Sequence, residues 1–128
     1  MKTAFLFPGQ GSQAVGMGAD LDGGLPRARE WFDRADALLP FDLRKICFEG
    51  PEEELKQTRV TQPALFVHST LIASLLVERG VVPHAVAGHS VGEYAALVAA
   101  GALDFEAGLE LVALRGELMQ HAGEDRPG

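Results

Sequence analysis

The run from Ala64 to Arg79 is apolar on nearly every side and lies between Pro63 and Gly80. A helix with one apolar stripe rests on a surface, but a helix apolar all round has to be covered by other layers. The run therefore predicts a buried helix, with Thr61-Gln62-Pro63 as its start and Gly80 suited to its C-terminal end. It does not predict a membrane span. The longest apolar candidate, Pro63 to Val77, contains His68, Ser69, Thr70 and Ser74, and a span needs about 20 residues with little polar interruption.

The layers that could cover such a helix are legible on both sides of it. Thr3 to Phe7 is short, apolar and rich in strand formers, and it stops at Pro8-Gly9, so it predicts a buried strand followed by a loop. Gly9 to Gly24 is crowded with glycine and predicts irregular backbone or a short broken helix. Pro26 suits a first helical turn. From there Trp31, Phe32, Ala35, Leu38 and Leu39 recur at helical spacing, opposite Arg27, Arg29, Glu30, Asp33, Arg34 and Asp36. Pro40 ends that helix. Pro51 opens a short one through Glu52-Glu53-Glu54-Leu55, with its acids at the favourable end of the dipole and a solvated face.

Ala85-Val86-Ala87-Gly88 predicts a second buried strand, and Gly92 to Ala100 a helix closed by Gly101. Asp104 suits an N-cap for a last helix, with Leu109, Val112, Leu118 and Met119 on one face. Gly123 to Gly128 is breakers and charge. Strands alternating with long helices predict an α/β fold with a parallel sheet. Two parallel strands cannot cover these apolar helices, so the pattern reads as part of a larger domain.

Composition removes whole classes of function. The formal net charge of -7 opposes phosphate binding, so neither nucleic acid nor an anionic membrane surface is expected as a partner. Cys47 is the only cysteine, which allows no internal disulfide and no zinc pattern. Between Ile46 and Phe48 it reads as a small core residue. The apolar stretch at the N-terminus is too short for a signal-peptide core. These features together predict a soluble cytoplasmic protein.

The chemistry-bearing motif is Gly88-His89-Ser90-Val91-Gly92. A Gly-x-Ser-x-Gly run between a strand and a helix lifts the serine hydroxyl onto a sharp turn, and the helix N-terminus offers N–H groups to an oxyanion. Val91 N–H is the natural first donor. Phe7-Pro8-Gly9-Gln10-Gly11-Ser12-Gln13 ends the other strand and could supply a second donor, since sites in open α/β sheets form where strand ends converge. Gly9, Gly11 and Ala14 loosely fit a dinucleotide fingerprint. No clean helix follows and no second strand ends in an acid at the usual distance, which disfavours that reading. Taken alone, Arg115 reads as a solvated charge on an amphipathic helix, and His68, His84 and His121 as structural or surface residues.

In order along the chain, Phe7–Gln13, Thr61-Gln62-Pro63-Ala64, Gly88–Leu97, Arg115-Gly116 and Met119-Gln120 resemble the malonyl-CoA:acyl-carrier-protein transacylase family, including polyketide synthase acyltransferase domains. The resemblance covers the whole chain but only the N-terminal portion of the family. It implies an α/β-hydrolase-like, parallel-sheet large subdomain that is incomplete here, with residues 1–128 as one unit cut near the insertion of a ferredoxin-like small subdomain, itself absent. It implies Ser90 as the nucleophile and the Gln10 and Val91 N–H groups as the oxyanion hole. Arg115 would hold the malonyl carboxylate, and Gln62 is a polar residue near the pocket. His89 matches the motif histidine, which is not the base, and an apolar residue at Val91 resembles malonyl-selective members.

The catalytic histidine of the family lies downstream and has no match among the four histidines here, so the chain alone is expected to be weakly active or inactive. The implied reaction moves a malonyl group from malonyl-CoA to the phosphopantetheine thiol of acyl carrier protein, in fatty acid biosynthesis, with no cofactor and no metal, in a protein monomeric at full length. The same elbow would also serve a serine hydrolase using water, against which Arg115 and the Phe7–Gln13 loop argue, and a non-catalytic fragment is the third class.

Overall fold

A computed structural model describes residues 1–126. Strand β1 (Ala4–Phe7) leads through a glycine-rich loop into helices α1 (Ala19–Gly24), α2 (Pro26–Leu38), α3 (Leu43–Glu49) and α4 (Glu52–Leu55). The long helix α5 (Thr58–Glu78) follows, then β2 (Ala85–Gly88), α6 (Gly92–Ala99) and α7 (Phe105–Asp125). The two strands pair in parallel, with Ala4 opposite Ala85 and Phe7 opposite Gly88.

Helix α5 is the centre of the molecule, as its apolar surface requires. Val60 to Val67 are all buried, as are Ser69, Thr70, Leu71, Ala73 and Leu75. Helices α2, α3, α4, α6 and α7 all pack on it. It begins three residues earlier than the Thr61-Gln62-Pro63 signal predicts, so Pro63 lies inside it. The first turn is closed by Val60 N and Thr61 N donating to Gln57 O at 2.9 and 2.8 Å, and Thr61 Oγ1 donates to Leu55 O. Pro63 therefore removes one ladder donor from a turn that is tied down independently. At 21 residues α5 does meet the length and apolarity of a membrane span, contrary to the expectation, but 72% of its apolar window is buried inside this fold.

Polar groups inside the core are paired. Trp31 Nε1 donates to Thr70 Oγ1 at 3.0 Å, and Thr70 Oγ1 donates back to Phe66 O at 2.8 Å. This stitches α2 to α5. Beside it Phe105 stacks on Phe66 and tilts against Trp31, with ring centroids 5.7 and 4.9 Å apart. The Arg34 guanidinium covers Trp31 and Phe105 at 4.9 and 4.8 Å and pairs with Glu106. Among the described residues no buried side-chain nitrogen or oxygen lacks a partner.

The helix ends follow the expected caps. Asp104 Oδ1 accepts from Ala107 N at 2.8 Å. At Gly80, Gly80 N donates to Val77 O and Val81 N to Leu76 O, which closes α5 with the paired bonds of a Schellman turn. Gly101 closes α6 in the same way. Helix α3 has no strong sequence signal. It is held by Asp42, whose side chain accepts from Lys45 N, and by Asp36, which accepts from Leu43 N across the turn.

Three expectations are corrected. The strands are buried on one face of β1 only: Phe5 and Phe7 lie in the core, but Leu6 is 77% exposed and all of β2 is exposed or half-buried, because α6 packs under one face of a two-stranded sheet and the described residues leave the other face bare. Leu38, Leu118 and Met119 are exposed rather than on the packed faces of α2 and α7, since each helix turns only a narrow stripe toward the core. Helix α7 runs through Gly123 to Asp125, where breakers predict a loop. Pro127 and Gly128 of that predicted loop lie outside the described residues.

Two outcomes are expected. Gly108 lets α7 touch α5, and a Cβ there would stand 2.6 Å from Phe66 Cζ. Since Phe66 is stacked and cannot retreat, Gly108→Ala should lower the unfolding free energy by about 1–3 kcal/mol, measured by urea titration. Cys47 is wholly buried, and burial, with the Asp36 charge adding to it, pushes its thiol up to about 12. An unfolded thiol ionises near about 8.5. This contribution to stability is therefore complete below that value and declines as pH rises from there toward 12. Ellman's reagent at pH 8 should label Cys47 only after urea is added, and Cys47→Ala should reduce the loss of stability in alkali.

Candidate active site

The elbow between β2 and α6 is shaped by steric necessity. Gly88 faces Gly92 so closely that a Cβ on Gly88 would overlap the Gly92 carbonyl, and a Cβ on Gly92 would overlap Phe7 O and stand 2.9 Å from Pro8 O. Both glycines let the chain reverse directly above the end of β1. Between them Ser90 has φ 55 and is the one non-glycine residue with positive φ among those described. That backbone costs an L-residue about 1–2 kcal/mol, a strain of the kind stored where a nucleophile must be presented. His89 N donates to Phe7 O at 3.0 Å, which extends the ladder into the elbow. Ser90 itself is exposed, whereas the Val91 side chain is buried.

The loop after β1 lies against this elbow. Gly9 is buried under His89, where a Cβ would meet His89 Nδ1 and O at 2.7 and 2.8 Å. Gly11 N is taken up by Gln13 Oε1 at 2.8 Å, and Gln10 Nε2 donates to Thr58 Oγ1 at 3.1 Å. Among the described residues the backbone N–H groups of Gln10 and Val91 have no hydrogen-bond partner. Val91 is the N-cap residue of α6, so its N–H lies where the helix dipole is positive.

Arg115 reaches the elbow from α7. Its Nη2 donates to Ser90 Oγ at 3.2 Å and its Nη1 to Gln62 Oε1 at 2.8 Å. The guanidinium carbon stands 5.7 Å from the Tyr94 ring centre. Arg115 is half-buried, and among the described residues no carboxylate is within ion-pair distance of it. The spacing alone suggested a solvated surface charge; instead the side chain lies over the serine. Gln62 is buried behind it on α5 and donates through Nε2 to Met119 Sδ at 3.1 Å. Its amide is thus committed at both ends, the oxygen to Arg115 and the nitrogen to Met119. Nothing in the one-dimensional pattern marked Thr58, which only the fold brings to the loop.

None of the histidines donates to or accepts from Ser90 Oγ among the described residues. His84 Nδ1 accepts from Thr3 N at 3.0 Å, His121 Nε2 is 3.5 Å from Glu117, and His68 is half-buried on α5, where burial lowers its pKa. Cys47 lies in the core away from the elbow. Among the described residues no group of three or more His, Cys, Asp or Glu is placed to hold a metal. The elbow thus carries an exposed serine hydroxyl on a strained turn, a guanidinium donating to it, and, among the described residues, unpaired N–H groups at Val91 and in the adjacent loop at Gln10.

The acyl transferase domain family matches residues 4–127. The malonyl CoA-acyl carrier protein transacylase of Bacillus subtilis is 50% identical over 121 residues, which cover 94% of this chain and 38% of that protein. The crystal structure of an acyl carrier protein S-malonyltransferase from Vibrio cholerae superposes with a TM-score of 0.90 at 48% identity, over 95% of this chain and 40% of that one. A malonyl-transacylase solved in complex with a type II PKS acyl-carrier protein gives a TM-score of 0.89 at 48% identity, with coverage of 95% and 40%. The chain thus spans about 40% of the length of these relatives. With a match across nearly its whole sequence and the same α/β fold, the chain belongs to the acyl transferase domain family.

Proposed function

We propose that Ser90 accepts a malonyl group from malonyl-CoA and passes it to the phosphopantetheine thiol of an acyl carrier protein, as a step of fatty acid biosynthesis. The observation that supports this most is the 3.2 Å between Arg115 Nη2 and Ser90 Oγ. In a malonyl thioester one methylene separates the free carboxylate from the carbonyl. A cation that reads that carboxylate has to lie beside the nucleophile, and a guanidinium grips it with two parallel hydrogen bonds. A hydrolase for neutral esters has no use for an unpaired cation there.

In the first half-reaction Ser90 Oγ attacks the thioester carbonyl. The C–O bond forms, the C–S bond breaks, and the leaving thiolate takes up the proton that Ser90 gave to a general base. The Arg115 N–H occupies a lone pair of Ser90 Oγ, so the hydroxyl proton stays free to be donated. Gln10 N–H and Val91 N–H receive the oxyanion of the tetrahedral intermediate. The second half-reaction reverses these steps with the carrier thiol as attacking group. The base is a histidine of the remaining length that relatives have and this chain does not span. In this reading residues 1–128 are the N-terminal portion of an α/β-hydrolase-like large subdomain, which the bare sheet face supports, and the small subdomain lies outside it. The setting is the cytoplasm, where a single buried thiol stays reduced.

Two outcomes test the reading on the whole protein that carries this segment. Malonyl-CoA should leave a malonyl mass on the peptide containing Ser90, and Ser90→Ala should abolish it; label on any other residue overturns the assignment. Arg115→Ala should slow malonyl transfer by about 100-fold or more while acetyl transfer changes little. Arg115→Lys, which keeps the charge but loses the planar fork, should fall between the two. An unchanged malonyl-to-acetyl ratio in both variants removes the carboxylate role.

A further inference from the structure

Two separate parts of the candidate site end on one turn of helix, the first turn of α5. From the loop, Gln10 Nε2 donates to Thr58 Oγ1 at 3.1 Å. The other hydrogen bonds of residues 10–13 stay within the loop: Ser12 N donates to Gly9 O at 3.4 Å and Gly11 N to Gln13 Oε1 at 2.8 Å. Among the described residues, the bond to Thr58 is the one hydrogen bond that fastens residues 10–13 to another element. Gln10 lies between Gly9 and Gly11, and Gly11 has φ 111 with open space around it. Gly9 is pinned under His89, but Gly11 leaves the peptide after Gln10 weakly determined. The bond to Thr58 adds a tether from outside the loop.

From the other side, α7 rests on the same turn. Arg59 N, which no side-chain cap satisfies, donates to Gln120 Oε1 at 3.2 Å. Gly116 lies so near that a Cβ would stand 3.1 Å from Arg59 Cα and 3.3 Å from Thr58 O. Gly116 follows Arg115, so this contact sets how far α7 approaches the elbow.

We propose that Thr58 is a positioning residue, whose hydroxyl fixes Gln10 so that its backbone N–H points at the oxyanion, on the same turn of helix that registers Arg115 through Gly116. The inference rests on the reading of Gln10 as an oxyanion donor. Oxyanion stabilisation serves any acyl donor, whereas Arg115 serves only one with a carboxylate, so the two roles separate by substrate.

The experiment follows acylation of Ser90 in the whole protein from malonyl-CoA and, as a neutral donor, from p-nitrophenyl acetate. Thr58→Val keeps the β-branched shape and removes the acceptor; Thr58→Ser keeps the acceptor. Thr58→Val should slow acylation about tenfold from both donors, as a displaced oxyanion donor does, with the malonyl-to-acetyl preference and KM unchanged. Thr58→Ser should stay near the wild-type rate, and Thr58→Val should cost nothing further in a Gln10→Ala background. A wild-type rate in Thr58→Val, a Thr58→Ser as slow as the valine variant, or losses that multiply in the double variant would each overturn the proposal. If the valine variant does not fold, Gln10→Ala removes the same bond from the loop side, and a wild-type rate there is equally fatal. A protein that takes acetyl but no malonyl overturns the malonyl assignment alone, and Thr58 is then judged on the acetyl donor. A protein that takes neither overturns both.

Discussion

Burial of α5 is the condition on which the other elements depend. A helix with no polar face has no stable position except between layers, and the surrounding helices α2, α3, α4, α6 and α7 are the layers that enclose it. The cost of enclosing polar atoms there is met locally, by Thr61, Thr70 and Gln62 each finding a partner. Because α5 is immobilised along its length, its two ends become fixed references. The C-terminal end hands the chain to β2 through Gly80, and the N-terminal turn stands beside the elbow.

The elbow shows how a site can be assembled from close contacts between backbones rather than from long side chains. Gly9, Gly88 and Gly92 have no side-chain role. Their contribution is distance: without Cβ atoms, the end of β1, the end of β2 and the start of α6 meet at van der Waals range. The strain at Ser90 is tolerated because the sheet ladder on one side and the α6 hydrogen bonds on the other leave the residue no relaxed alternative. The N–H groups of Gln10 and Val91 stay unpaired among the described residues of the elbow and its neighbouring loop.

Electrostatics sets the surroundings of this elbow apart from the rest of the chain. The chain is acidic overall, yet the charge nearest the serine is a guanidinium without a carboxylate partner among the described residues. It is oriented by an amide rather than by an acid. Gln62 fixes the Arg115 fork through a neutral hydrogen bond, so among the described residues the positive charge is not spent on an internal ion pair. Tyr94 from α6 faces the same guanidinium, with 5.7 Å between the guanidinium carbon and the ring centre.

Much of this was legible in the linear pattern. The buried helix, the strand–serine–helix elbow, the caps at Gly80, Gly101 and Asp104, and the family resemblance all follow from local steric rules and from short motifs whose spacing is independent of the rest of the fold. Position along the chain could not say that Arg115 points at Ser90 rather than into solvent, because that depends on where α7 crosses α5, and Gly116 settles the crossing by letting the backbones touch. The same reason hides Thr58 and misplaces Leu118 and Met119: the width of a helix's packed stripe is decided by its neighbours. The sequence by itself determined which residues could do the chemistry. Only the tertiary structure decided which of them meet, since convergence of β1, α5, α6 and α7 on one turn is a property of packing and not of any one segment.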